Sequence, residues 1–359
     1  MRLAIVICVF LSWAGCRSAG SGNNAKMGFY YWRTSFEPSY AEKKLLDETH
    51  AQRLYVRFFD LDTRWYSNDN YTLEPVGRLQ SKQQFPANIE VVPVVYITNY
   101  ALEQLETKAE REKYVSLMVA KINRMAGRNG KKNIHEFQLD CDWTQTNRDV
   151  YFAFVKEFKA AVDPAKVSVT LRLHQYKYRK KSGIPPADRV MLMYYNMGEL
   201  AEYSPQNYVL NNTTGKQYLG ANEKYPLPMD FALPLYDQAR KYNEDGNFIE
   251  FIDHYRMQEL QDKSWMKKTG KYTWEVRPAK EQVPKLTSDW DYPSAKENMY
   301  EGTKVVYDKF SRKDLFEAAQ LLQECVNTEN YNVVFYHLDQ TYTQQYKAYE
   351  LEGIKATVN

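Results

Sequence analysis

Apolar and polar positions alternate with a period of two along several short stretches, and the sharpest of them is 137–144, Phe-Gln-Leu-Asp-Cys-Asp-Trp-Thr. As a strand it sets Phe137, Leu139, Cys141 and Trp143 on one face and Gln138, Asp140, Asp142 and Thr144 on the other. Burying an unpaired carboxylate costs several kcal/mol, so the two Asp need cations, water or a site. Arg53 to Phe59 alternates in the same way, with Leu54, Val56 and Phe58 opposite Tyr55, Arg57 and Phe59. Val167 to Leu173 turns Val167, Val169, Leu171 and Leu173 outward and Thr170, Arg172 and His174 inward. Glu90 to Ile97 is apolar on both faces, as a buried parallel strand is. Gly28 to Trp32, Val190 to Tyr195, Met229 to Leu235 and Asn332 to His337 complete a set of eight strands.

Helical periodicity runs over Ser39 to Thr49, Glu103 to Met125, Asn147 to Val162 and Thr341 to Leu351. Gly127 to Gly130 ends the second of these, and Asn147 stands at the cap of the third. A polar loop holding Asp60, Asp62 and Trp65 follows the second strand. Strands alternating with helices give an α/β fold, a (β/α)8 TIM barrel with long insertions after strands six and seven. The rival, an open doubly wound sheet, lacks its Gly-rich phosphate turn after the first strand. Between strands five and six the chain is short and basic, with room for no full helix. The insertions are Glu199 to Pro228 and residues 237–307. The second carries Trp265, Trp274 and Trp290, which suit a cleft wall or the core of a solvated subdomain equally.

The chain opens with Arg2, an apolar run from Leu3 to Trp13 and Ala14-Gly15 before Cys16. This resembles a bacterial lipoprotein signal: residues 1–15 removed, a lipid on Cys16, a flexible tether over 16–26, and the barrel domain over 27–359. Trp13 departs from the usual leucine, and an ordinary secretory signal is the other reading. Arg17 after the cysteine resembles lipoproteins sent on to the outer membrane, so a cell-envelope location anchored through Cys16 is expected. Composition narrows the partners. A formal charge of +3 over 359 residues makes no electrostatic case for nucleic acid. Thirty tyrosines offer flat rings with polar tips, which suit sugar faces. Cys141 and Cys325 read as buried thiols, and neither Cys nor His shows metal spacing, so no metal or cofactor is expected.

In a barrel the C-terminal ends of the strands floor the site. Inward positions there are Arg57, Asp140, Asp142, Arg172 and His174. Adjacent strands lie about 4.8 Å apart, so Asp140 is expected to pair with Arg172 as a structural ion pair, leaving Asp142 level with His174 at the mouth.

Leu139-Asp-Cys-Asp-Trp resembles the strand-four signature of chitinase-type (family 18) glycoside hydrolases, apolar-Asp-x-Asp-aromatic-Glu, and Met193-Tyr-Tyr-Asn resembles their strand-six Met-x-Tyr-Asp. The resemblance implies that Asp142 orients the substrate, with Tyr195 and Asn196 beside it. Three departures count against the standard mechanism: Thr144 where the acid should be, Phe137 for the first Asp, and Asn196 for the strand-six Asp. The chain also resembles a family of uncharacterised bacterial lipoproteins with glycoside-hydrolase-like barrels. Phe29-Tyr-Tyr-Trp-Arg-Thr, Arg53-Leu-Tyr-Val-Arg-Phe-Phe-Asp, Leu171-Arg-Leu-His-Gln and Met193-Tyr-Tyr-Asn-Met-Gly carry that likeness.

Two functions follow as expectations. One is a lipoprotein that binds a glycan and, with a substitute acid, hydrolyses it. Candidate acids are Asp142, Asp140, Asp60 and Glu199; candidate binding residues are Arg57, Arg172, His174, Tyr195, Asn196, Trp32 and Tyr236. The other is a non-catalytic glycan- or protein-binding barrel that kept the cleft and lost the acid. Trp143, by alternation, points toward the helices and is set aside.

Overall fold

A computed structural model describes residues 25–67, 70–220, 224–252, 257–277 and 299–358. The signal-like stretch, the tether up to residue 24 and Trp290 lie outside these residues, and Lys26 opens the first strand. Among the described residues, eight parallel strands close on themselves: Lys26–Tyr31, Arg53–Ser67, Glu90–Ile97, Glu136–Asp140, Lys166–Arg172, Arg189–Met193, Met229–Pro234 and Asn332–Tyr336. The first pairs with both the second and the eighth, which seals the (β/α)8 barrel. Burial divides the strands by face. Leu54, Val56, Leu139, Val169 and Leu192 meet the helices, while Tyr30, Tyr55, Val92, Val94, Met191 and Ala232 fill the lumen.

The lower end of the barrel is plugged by charge. Arg53 reaches Glu136 at 2.5 Å and Glu90 at 3.1 Å. Asp230, fully buried, takes Arg189 at 3.2 Å and two donors of Asn332 at 2.7 and 2.8 Å. Above the plug, Tyr30 donates to Gln138 at 2.5 Å. Tyrosines thus fill the lumen with rings whose hydroxyls find partners, as buried phenols require.

Several elements differ from the expected ones. The polar stretch after strand two is no loop, because the strand continues to Ser67 and pairs antiparallel with Asn70–Val76. In this hairpin Leu61 and Leu73 are buried against the core, while the polar residues between them, Asp62, Thr63 and Arg64 among them, break the apolar alternation. The long second helix is two, Asn99–Glu103 and Lys108–Arg128, divided where Thr107 forms a capping box with Glu110. Two short helices, Leu173–Lys177 and Arg179–Ser182, fill the gap expected after strand five. The last helix is likewise split into Gln340–Thr343 and Ala348–Val358. Trp143 stacks on Tyr151 of the following helix at 5.2 Å, outward as expected.

The insertion after strand seven builds an antiparallel sheet of Phe248–Ile252, Gln238–Tyr242, Lys304–Asp308, Thr273–Val276 and Met266–Gly270, in that order. Trp265 and Trp274 are buried in its own core with Val305 and Tyr307. Those tryptophans are core rather than cleft wall.

Candidate functional site

The upper mouth of the barrel opens into two adjoining cavities. The larger, about 580 Å³, is bordered by the ends of all eight strands. The smaller, about 390 Å³, lies over the fifth and sixth strands. Asp142, Arg172, Tyr195 and Asn196 border both, so they form the ridge between two lobes of one cleft.

A bulge prepares the floor. Arg57 pairs with Val94 and Phe59 with Val95, so Phe58 is an extra residue in the second strand. Phe58 and Phe59 therefore both pack in the outer layer, contrary to the expected inward Phe59. The shift brings Asp60 back onto the face of Arg57, and the two carboxylate oxygens accept from Arg57 Nε, at 2.7 Å, and Nη2. Gly77 makes room for this pair: its φ is +54°, and a Cβ there would lie 2.6 Å from Arg57 Nη2. The guanidinium carbon of Arg57 also sits 5.7 Å from the centre of the Trp32 ring.

The expected Asp140–Arg172 pair does not form. Arg172 instead holds Asp142 through two bonds, Nε to Oδ1 at 2.6 Å and Nη2 to Oδ2 at 2.9 Å. The reason is chain direction: strand four ends at Asp140, and the turn beyond it carries Asp142 across to the end of strand five. Gln175, fully buried, fixes both sides of the pair by accepting from Arg172 N at 2.8 Å and donating to Trp143 O at 2.9 Å. Asp140 stays below, 6% exposed, and among the described residues accepts only from Thr170 Oγ1, at 2.6 Å. Burial and the neighbouring Asp142 push its carboxyl up to about 6.

Above strand six, Asn196 takes a left-handed backbone (φ +54°), which Asn tolerates, and its Oδ1 accepts from Tyr236 at 2.5 Å. Tyr195 stacks on Tyr336 with centroids 5.1 Å apart. His174 is not on the fifth strand but in the helix that follows it, and with Glu199 it lines the smaller lobe. Burial holds the His174 imidazole below its usual range, against the pull of Asp142.

Of the residues expected at the site, Trp32, Arg57, Asp60, Asp140, Asp142, Arg172, Tyr195, Asn196 and Tyr236 border the larger lobe, and His174 and Glu199 the smaller. Tyr96, Tyr336, His337, Asp339 and Tyr342 also border the larger lobe and were not expected. Tyr96 carries the inward parity of Val92 and Val94, so the alternation that nominated Arg57 also points to it. Burial lowers the His337 imidazole to about 4, and its Nδ1 is shielded from solvent with no hydrogen-bond partner among the described residues. Thr144, at the position of the missing acid, is exposed on the rim; its N–H donates to Asn147 at 2.8 Å, and its hydroxyl bonds that of Thr146 at 2.7 Å. Among the described residues no group of three His, Cys, Asp or Glu could hold a metal ion, and no helix is long and apolar enough to cross a membrane.

A closed parallel barrel, a charged and aromatic cleft at the C-terminal ends of its strands, and a sheet inserted after strand seven define a (β/α)8 barrel with an open cleft at its mouth. No family model matches the chain, and no curated protein matches it in sequence. Solved structures do match. The spore cortex-lytic enzyme SleL of Bacillus megaterium QM B1551 aligns at 13% identity and TM-score 0.52, over 94% of this chain and 75% of that one. A chitinase from Chromobacterium violaceum ATCC 12472 aligns at 13% identity and TM-score 0.51, over 93% and 99% of the two chains. SleL of Bacillus cereus gives 12% identity and 0.51, over 91% and 74%. The likeness is one of fold.

Proposed function

We propose that this protein is a glycan-binding barrel, held at the cell envelope by a lipid on Cys16, that does not cleave its ligand by the chitinase route. The observation that carries this reading is the Arg172–Asp142 pair on the central ridge. A carboxylate that orients and then stabilises a reacting sugar group works through its charge, and the charge of Asp142 is already matched by the guanidinium from which both its oxygens accept. Thr144 puts a hydroxyl, which is no general acid, where a carboxylic acid would stand at the rim. The rings bordering the lobes, Trp32, Tyr195, Tyr236 and Tyr336 among them, suit the apolar faces of sugars. The fold likeness to a chitinase and to cortex-lytic enzymes supports a carbohydrate as the ligand class.

Titration calorimetry with a panel of oligosaccharides, run beside an assay for new reducing ends, tests the reading. Binding without release of reducing ends is the expected result. Release abolished by Asp142→Asn would overturn the non-catalytic assignment. Hydrolysis is the second reading, and Asp140 favours it: a carboxyl pushed up to about 6 and bordering the cavity keeps part of its proton near neutral pH. On that reading Asp140→Asn, rather than Asp142→Asn, abolishes release. The anchor has its own test. A palmitate analogue should label the full chain and not the Cys16→Ser variant, with the label in the outer-membrane fraction.

A further inference from the structure

The charges at the larger lobe are not evenly matched. Arg57 is taken by Asp60, and Arg172 by both oxygens of Asp142. Asp339, at the rim, accepts from Thr341 N at 2.8 Å and has Arg33 at 3.8 Å. Asp140 differs. It is 6% exposed and borders the cavity, yet its one hydrogen bond comes from the neutral hydroxyl of Thr170, to Oδ1. Among the described residues no cation lies within ion-pair distance of it, and Oδ2 has no donor. The cavity it borders is lined by the rings of Trp32, Tyr96, Tyr195, Tyr236, Tyr336 and Tyr342, beside the paired Arg57–Asp60 and Arg172–Asp142.

A buried carboxylate with no cation in contact, felt only from a distance by the Arg172 guanidinium that Asp142 already holds, and opening on a cavity with many ring faces, is the complement of an ammonium group. A neutral acetamide can give that carboxylate one N–H hydrogen bond but no counter-charge, and Asp142 is already paired with Arg172. Resting on the glycan-binding reading above, we propose that the cleft selects sugars bearing a free protonated amine, such as de-N-acetylated hexosamines, with the ammonium seated on Asp140 in the ring-lined cavity. The formal charge of +3 argues that such selection would be local, because the molecule as a whole does not attract polycations.

The test uses the full chain and three ligands of equal length: an oligomer of glucosamine, the same oligomer after chemical N-acetylation, and a neutral oligomer of glucose. The amine form should bind about tenfold tighter than the other two, the ordinary worth of one desolvated charge contact. Asp140→Asn keeps an oxygen for the Thr170 hydroxyl and should bring the amine form down to the level of the other two, with its folding checked by urea unfolding. Because the ligand comparison is made on the wild-type chain, it does not depend on the variant folding. Equal or tighter binding of the acetylated or the neutral form would overturn amine selection and leave the glycan-binding reading standing, as would an amine preference that survives Asp140→Asn. Failure of all three ligands to bind would overturn both.

Discussion

Asp140 and Asp230 share one physical condition at opposite ends of the lumen: each is buried, and burial pushes each carboxyl up to about 6. An acid raised on folding binds more protons in the native than in the unfolded chain between its two pKa values, so its contribution to stability falls as pH rises through that window. For Asp230 the window runs from 3.8 to about 6. The difference is worth on the order of 3 kcal/mol when integrated. His337, lowered to about 4, works in the opposite sense over nearly the same range, so the net profile of the wild type hides both. Asp230→Asn separates them. Urea unfolding of both proteins at several pH values between 4 and 7 should show the wild type losing stability relative to the variant as pH rises; a flat difference would mean that Asp230 does not titrate there. Gly77 makes the second prediction at this scale. Gly77→Ala adds a Cβ at φ +54° and 2.6 Å from Arg57 Nη2. It should cost about 1–2 kcal/mol and weaken oligosaccharide binding by turning Arg57 away from Asp60. Unchanged affinity in calorimetry would show that the Arg57–Asp60 pair takes no part in binding.

Secondary-structure elements, more than single residues, decided what could be read from the sequence alone. Period-two contrast located Asp140, Arg57 and Arg172, because strands buried against helices on one face and a polar mouth on the other must alternate. It failed at Phe58, where one extra residue reverses the phase of everything downstream and leaves no mark in composition. It set Asp142 at the mouth, where it lies, but not its partner, because the chain turns beyond the end of the strand and carries Asp142 to Arg172. The capping box at Thr107 was present in the sequence as Thr-x-x-Glu and divides the second helix accordingly. Glu42 shows how the elements hold one another. It is fully buried on the first helix, Tyr40–Glu48, and accepts from Ser39 N at 2.8 Å, Arg33 Nη2 at 2.7 Å and Gln340 N at 2.7 Å. One carboxylate therefore ties the N-terminal cap of that helix to the segment carrying Asp339, Thr341 and Tyr342 over the cleft. Removing it by Glu42→Ala leaves Arg33 and two backbone donors short of a partner and should cost about 3 kcal/mol in urea unfolding. Faster hydrogen exchange at 339–343 should accompany the loss; exchange unchanged there would mean that the rim is held by something else.

For the molecule as a whole, the question is how an inserted sheet with its own tryptophan core is made to serve the cleft. Arg240 and Asp308, both on the inserted sheet and both buried, form the joint. Arg240 Nε and Nη2 bond Asp308 at 2.7 and 2.9 Å, and Nη2 also donates to the carbonyls of Gln206 at 2.7 Å and Ser204 at 3.2 Å, in the insertion after strand six. Asp308 in turn accepts from Tyr208 N at 2.9 Å, and Tyr208 walls the smaller lobe. The two insertions meet at this buried ion pair, and also through Tyr203 N to Gly246 O at 2.7 Å, Phe248 N to Ala201 O at 3.1 Å and the Tyr208–Phe251 ring contact. The ion pair is the joint that holds the backbone of Tyr208. Taking away one partner of such a pair leaves the other charged and buried, at a cost of about 3–5 kcal/mol. Arg240→Met should therefore destabilise the protein by that order. It should also weaken ligands long enough to span both lobes more than a single sugar confined to the larger one, since only the smaller lobe loses its wall. Calorimetry with a monosaccharide and a longer oligomer separates these outcomes: equal loss for both would place the effect in the barrel itself, and no loss for either would detach the smaller lobe from binding.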